Sequence, residues 1–347
     1  MSALEKVNEF RRVITKSLTK NIGRSRQIEK IDLSKKIEIN RILISRPNHR
    51  LGNLLLITPL VEEVIATFPE SKIDLFVKGG LAPIVFQNYK NINNIIELPK
   101  KPFDNLVAYF KVWIKIKNQK YDLVINVDKN SSSGRLSAQF ANAKYKFFGE
   151  LDLALQKQFL DYEHIAKFPV YDFRNYLMQL GFPQNNNKIP SLNLKLDPAE
   201  LQHGKNIIQK LVNNDKKTIC IFTFATSDKC YSVTWWETFY NTLLVEFKDY
   251  NIVEILPVEN VSQIQFKAPT FYSKDIREIG AVIANTELFI GADSGIMHLA
   301  SASMTPTVGL FSRANIDTYK PYDNQSIAID TNKGNVMDWI KEIKNSI

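Results

Sequence analysis

The densest concentration of chemistry in the sequence is the run Leu288-Phe289-Ile290-Gly291-Ala292-Asp293-Ser294-Gly295-Ile296-Met297-His298-Leu299-Ala300. An apolar strand pattern ends at Gly291, Asp293-Ser294-Gly295 makes a tight turn, and a helix pattern begins there. Backbone N–H groups at such a helix start have no intrahelical partner and attract an anion. Glycine lets the backbone approach a phosphate. The Ser294 hydroxyl can donate to a phosphate oxygen, and His298, four residues on, falls on the same side of the helix. A bare Asp-Ser-Gly turn is also a common helix cap, in which Asp293 or Ser294 only satisfies the helix start and His298 is a core residue.

Two further loops carry polar and charged groups at the ends of strand patterns. Arg46, His49, Arg50, Gly52 and Asn53 follow the apolar run Arg41–Ser45. Three basic side chains at the carboxyl end of a first strand suit an anion in an α/β protein. Thr223, Thr226, Ser227 and Lys229 follow the run Lys217–Phe224, with three hydroxyl donors and one point charge for a phosphate. Glu259, after the run Ile252–Pro257, is placed to hold a ribose hydroxyl, as acidic residues do in dinucleotide-binding folds.

The elements that must position these residues alternate. Strand patterns at 41–45, 72–78, 95–98, 121–127 and 145–149 are separated by helical patterns at 54–68, 103–118 and 133–141. The turn-rich stretch 181–190 is the best linker, and a helix at 198–213 follows it. The alternation then restarts, with strands at 217–224, 252–257, 288–291 and 307–311, helices at 234–247, 276–284 and 295–303, and a closing helix at 335–346 that could cross back to the first half. Strands alternating with helices predict parallel sheets covered on both faces. The reading is an α/β chain of two Rossmann-like halves: a basic helical extension (1–35), an N-terminal acceptor domain (36–185), a C-terminal donor domain (190–330) and the closing helix (331–347).

A chain of 347 residues exceeds one ordinary core. Its net charge of +9 favours anionic partners without choosing among them. No nucleic-acid motif accompanies the charge, and no G-x-G-x-x-G follows a strand, so a nucleic-acid binder and a Rossmann dehydrogenase are disfavoured. Two cysteines, Cys220 and Cys230, do not make a disulfide scaffold, and four scattered histidines give no metal-ligand spacing. There is no apolar run of membrane-spanning length and no signal-peptide core, so a cytoplasmic location is expected. Within the extension, Val7, Phe10, Ile14 and Leu18 recur among Arg11, Arg12, Lys16 and Lys20. This is either a helix packed on the body or a foot on the anionic inner membrane.

The whole Asp293–Ala300 string followed by Thr305-Pro306-Thr307-Val308-Gly309-Leu310-Phe311 resembles family 9 glycosyltransferases, the ADP-heptose:lipopolysaccharide heptosyltransferases, and their D-[ST]-G-x-x-H-L-A and T-P-x-x-x-L-F segments. Leu51–Leu60 is similar to the family's G-D-x-L-x-x-T-P segment, and the likeness spans roughly residues 40 to 330. The resemblance implies a GT-B fold and transfer of a sugar, heptose from ADP-heptose being the family's usual case, from a nucleotide-diphospho-sugar to a hydroxyl of a lipopolysaccharide core or related glycan. Transfer would invert the anomeric carbon and use neither metal nor cofactor. It makes Thr223, Thr226, Ser227, Lys229, Glu259, Asp293, Ser294, Gly295 and His298 donor ligands, and sets Arg46, Arg50 and Gly52 against an anionic glycolipid acceptor. In one place the chain departs from the family: Asn53 stands where an aspartate is taken to be the general base, and an amide cannot accept a proton at ordinary pH. Three readings stand. Asn53 positions the acceptor while another group, first His49 and then Asp128 or Asp104, is the base; or leaving-group stabilisation suffices; or the chain is a non-catalytic nucleotide-sugar-binding relative.

Overall fold

The computed structural model describes residues 37–99 and 106–346. The expected helical extension and Asp104 therefore lie outside the described residues. The chain divides into two compact units. Of the described residues, the first takes 37–49, 60–83, 89–99 and 106–189; the second takes 50–59, 84–88 and 190–346.

The first unit carries a five-stranded sheet in the order β3-β2-β1-β4-β5, all parallel. Its strands are β1 (Arg41–Arg46), β2 (Lys72–Lys78), β3 (Ile92–Leu98), β4 (Lys120–Asn126) and β5 (Asn142–Phe147). The runs are apolar because both faces are covered: Ile42, Leu43, Ile44, Leu75, Phe76, Val124 and Ile125 have no solvent exposure. The expected helix at 54–68 is two helices, α1 (Leu51–Leu55) and α2 (Thr58–Thr67). Pro59 has no N–H to offer the preceding turn. The Thr58 hydroxyl donates to the Leu55 carbonyl instead, at 2.7 Å. Then follow α3 (Ala82–Val85), α4 (Leu106–Asn118), α5 (Ser132–Phe140), α6 (Leu153–Gln158) and α7 (Phe168–Gln179). The last two were not legible in the sequence. α6 is started by the Asp152 carboxylate, which accepts from the Ala154 N–H at 2.8 Å, and α7 has a proline in its first turn.

The second unit carries a six-stranded sheet in the order β11-β10-β9-β6-β7-β8, again parallel. The strands are β6 (Thr218–Phe222), β7 (Asn251–Ile255), β8 (Thr270–Phe271), β9 (Leu288–Ala292), β10 (Thr307–Phe311) and β11 (Ile327–Asp330), the last beyond what the sequence marked. Its helices are α8 (Pro198–Val212), α9 (Val233–Glu246), α10 (Ile276–Ile283), α11 (Gly295–Ala302), α12 (Ile316–Tyr319) and α13 (Val336–Lys344). The closing helix α13, which the sequence allowed to cross to the first half, packs into the second unit's own core. Trp339, Ile340 and Ile343 join Trp236, Phe239, Leu243 and Ile329 there. Each such side chain contributes roughly 1.5–3 kcal/mol on burial.

Two short segments from the N-terminal half complete the second unit. Residues 84–88 are held by buried Arg277, whose guanidinium donates to the carbonyls of Ile84 (3.1 Å), Leu194 (3.1 Å) and Lys195 (3.0 Å) and clasps Glu200 with two bonds. Residues 50–59 are held by α1, which lies on α11, and by the Asn193 N–H, which donates to the Thr58 hydroxyl at 3.1 Å.

Candidate functional site

In each sheet the strand order reverses beside the first strand, between β1 and β4 in the first unit and between β6 and β9 in the second. Loops leaving the carboxyl ends of the strands at such a reversal diverge and leave room for a ligand. In the second unit those loops are 223–232 and 293–294, which carry most of the residues singled out in the sequence.

β9 delivers Asp293-Ser294-Gly295 to the start of α11. Ser294 is the N-cap, with extended backbone (φ −150°, ψ 169°), and its Oγ accepts from the Met297 N–H at 3.2 Å. Two results follow. The hydroxyl proton of Ser294 is left to donate elsewhere, and the N–H groups of Gly295 and Ile296 have no intrahelical partner. Asp293, 7% exposed, is not the cap. Its Oδ2 accepts from Lys229 Nζ at 3.3 Å and from Asn315 Nδ2 at 3.2 Å. The pair brings together the loops after β6 and β9.

The start of α1 rests on the start of α11. A Cβ at Gly52 would stand 2.9 Å from His298 Cδ2 and 3.5 Å from the Gly295 Cα; one at Gly295 would stand 3.5 Å from the Gly52 nitrogen. Gly52 permits this approach, since a Cβ there would crowd the His298 ring, whereas one at Gly295 would meet only ordinary contacts; the two helix starts lie side by side. His298 is buried at 5% exposure, with its ring 6.3 Å from that of Tyr319. Asn53, next to Gly52, is half-buried, and Arg50 at the N-cap of α1 is exposed and makes no side-chain cap.

Thr226 and Ser227 are exposed on the loop after β6, where Ser227 has a left-handed backbone (φ 61°). Asp228 beside them pairs with Arg313. Thr223 differs from its neighbours. It is buried, donates to Glu254 Oε1 at 2.5 Å, and accepts from the Gln263 N–H at 3.0 Å. The other Glu254 oxygen accepts from Ser262 at 2.7 Å. Thr223 thus spends its hydroxyl on tying the loop after β7 to β6. Glu254 is wholly buried, and burial pushes its carboxyl above the usual range against the two hydroxyl hydrogen bonds. Glu259 stands exposed on that loop. Sequence reading missed Glu254, although a carboxylate inside the apolar run Asn251–Ile255 was the available signal.

In the first unit, Arg46 at the end of β1 donates to Asp128 Oδ2 at 2.6 Å, joining the loops after β1 and β4. Much of its charge is thereby matched by Asp128, and Asp128, one of the sequence's substitute bases, is itself ion-paired. His49 is exposed. A cavity of about 350 Å³ opens at the carboxyl end of β5, lined by Phe147, Glu150, Asp152, Asp172, Asn175 and Tyr176 among others. Buried Asp172 takes a hydrogen bond from Tyr162 at 2.5 Å on one oxygen, and its other oxygen, Oδ2, has no hydrogen-bond partner. Burial, reinforced by nearby Asp152 and opposed by the Tyr162 bond, raises Asp172 to about 7. No sequence pattern announced this acid, since its helix was itself unread.

The family described as "Glycosyltransferase family 9 (heptosyltransferase)" matches residues 273–343, which contain the Asp293–His298 turn and both helices that follow β9 and β11. Lipopolysaccharide heptosyltransferase 3 of Escherichia coli is 23% identical over 299 residues, covering 80% of this chain and 85% of that protein. Among solved structures, the glycosyl transferase family 9 protein of Veillonella parvula DSM 2008 superposes with a TM-score of 0.68 at 20% identity, covering 90% of each chain. The E. coli heptosyltransferase WaaC with ADP gives 0.62 at 13% identity, covering 88% of this chain and all of that one. E. coli ADP-heptose lps heptosyltransferase II gives 0.62 at 15%, covering 89% and 98%. With parallel sheets in both units and the motif at the start of α11, the chain is similar to the heptosyltransferases of glycosyltransferase family 9 and shares their GT-B fold.

Proposed function

We propose that the chain moves heptose from ADP-heptose to a hydroxyl of a lipopolysaccharide core or related cell-surface glycan, inverting the anomeric carbon and working without a metal. The observation that carries the reading is the start of α11. There Gly295 and Ile296, whose N–H groups have no intrahelical partner, open the helix next to Gly52, with Lys229 held close by on Asp293. The named relatives support the substrate class: one solved neighbour holds ADP and another heptosyltransferase structure holds an ADP-2-deoxy-2-fluoro heptose.

In the proposed reaction the acceptor oxygen attacks the anomeric carbon as the bond to the diphosphate breaks, and the acceptor's proton passes to a base. The leaving diphosphate gains negative charge. The helix start at Gly295 and the Lys229 ammonium oppose that charge with fixed dipoles and a cation. Asp293 matters indirectly: it holds Lys229 in place, and its own charge is shared with Asn315. His298, under Gly52, is assigned to the same end of the donor. Asn53 has an amide that can orient the acceptor hydroxyl without taking its proton. His49 is the first choice of base, because Asp128 is already committed to Arg46. Arg50 and Arg46 are assigned to the acceptor, with Arg46 contributing less than a free guanidinium would. Thr226 and Ser227 are assigned to the diphosphate, and Thr223 and Glu259 to the walls of the nucleotide pocket.

The test is calorimetric titration with ADP-heptose and with ADP. Ser294→Ala and Lys229→Ala are each expected to weaken binding by about ten- to a hundredfold, the usual loss for a charge-assisted hydrogen bond. Wild-type affinity in both variants sinks the assignment.

A further inference from the structure

Helix α4 is apolar on two sides. Tyr109, Val112, Trp113 and Ile116 face the first unit's sheet, where Ile116 is fully buried among Leu43, Phe76 and Val124. On the opposite side Val107, Phe110 and Ile114 are 65%, 61% and 56% exposed. Phe140, at the end of α5, continues the patch at 53% exposure and stands edge-on to Trp113 with ring centroids 6.1 Å apart.

At 3.6 residues per turn, Val107, Phe110 and Ile114 fall within about 60° of the helix circumference. The same arithmetic puts Lys111 and Lys115 on one flank of the stripe and Lys117 on the other. All three are exposed, and α4 contains no acidic residue. Lys120, two residues beyond the end of α4, is exposed as well. Soluble surfaces seldom leave aligned large apolar side chains in water. An apolar stripe flanked by two lysines on one side and one on the other matches one partner chemistry closely: acyl chains beneath a layer of anionic headgroups, with the lysine stems lying along the apolar boundary and their ammonium groups at the phosphates. No helix among the described residues is long and apolar enough to cross a membrane, so the contact would be interfacial.

We propose that the outer face of α4, with Phe140, docks the protein on an anionic lipid surface. This does not depend on the donor-site reading, and each can fail without the other.

The experiment is co-sedimentation of the full chain with phosphatidylcholine vesicles and with vesicles of about three parts phosphatidylcholine to one part phosphatidylglycerol. The wild type is expected to sediment with the anionic vesicles and to be released by salt. Phe110→Ser/Ile114→Ser is expected to lower the partition coefficient by at least about tenfold, from the apolar area it withdraws. Lys111→Ser/Lys115→Ser/Lys117→Ser should lower it by about a hundredfold on anionic vesicles, roughly fivefold per lysine. These are exposed side chains, and an unchanged circular dichroism spectrum and urea-unfolding midpoint would show both variants folded. The proposal is overturned if the wild type does not bind anionic vesicles or if both variants bind as well as it does. It is also overturned if Phe110→Ser/Ile114→Ser converts an oligomer to a monomer, which would make the face an interface between copies of the chain.

Discussion

Asp172→Asn should remove the pH dependence that one buried acid imposes on the first unit. Asp172 is 3% exposed, and its carboxyl is raised from an ordinary 3.8 to about 7, chiefly by burial. Below pH 4 the acid is protonated whether the chain is folded or not, and it costs nothing. As pH rises from 4 to 7 the unfolded chain ionises it while the folded chain does not, so stability falls. Above 7 the loss is complete. A difference of about three pH units at 1.36 kcal/mol each gives roughly 4 kcal/mol, an upper figure because water entering the neighbouring cavity would soften it. Asparagine keeps the acceptor for the Tyr162 hydroxyl and cannot ionise. Urea unfolding, followed by circular dichroism at pH 4 and pH 8, should find the variant near wild-type stability at pH 4. At pH 8 it should be more stable by a few kcal/mol. Every other titrating group, Glu254 included, is common to both proteins and cancels in the comparison. A stability difference that is the same at both pH values would refute the argument that Asp172 is held protonated by its surroundings.

Three perturbations address the proposed donor and acceptor sides. Gly52→Ala places a Cβ 2.9 Å from the buried His298 ring. The helix gains about 1 kcal/mol of propensity and loses 1–3 kcal/mol to overpacking, so the melting temperature should change little, while ADP affinity falls by about tenfold or more. Unchanged affinity would mean that the contact between α1 and α11 does not shape the donor site. Asn53→Asp should keep or raise turnover, whereas His49→Ala should reduce kcat by about a hundredfold or more if the imidazole is the base; a large loss in the first, or wild-type kcat in the second, assigns proton removal elsewhere.

Alternation of strands and helices, the α/β class and the strand–turn–helix form of Asp293–His298 were legible because each depends on local pattern. Apolar runs of strand length, glycines at strand ends and hydroxyls at a helix start carry their meaning within a dozen residues. Tertiary structure decided what depended on distant partners. Nothing near Thr223 in the sequence indicates that its hydroxyl is taken by Glu254, thirty-one residues away. Nothing near Arg46 indicates Asp128, eighty-two residues on. Residues 50–59 and 84–88 fold with the second unit because Gly52 meets His298 and Arg277 reaches the Ile84 carbonyl, contacts that no sequence periodicity encodes. Asp172 reads as an ordinary surface acid until burial withdraws it from water. A sequence fixes which groups a chain owns and where its helices and strands tend to begin. Burial and long-range pairing, which set charge and hydrogen-bonding capacity, exist only once the chain has closed on itself.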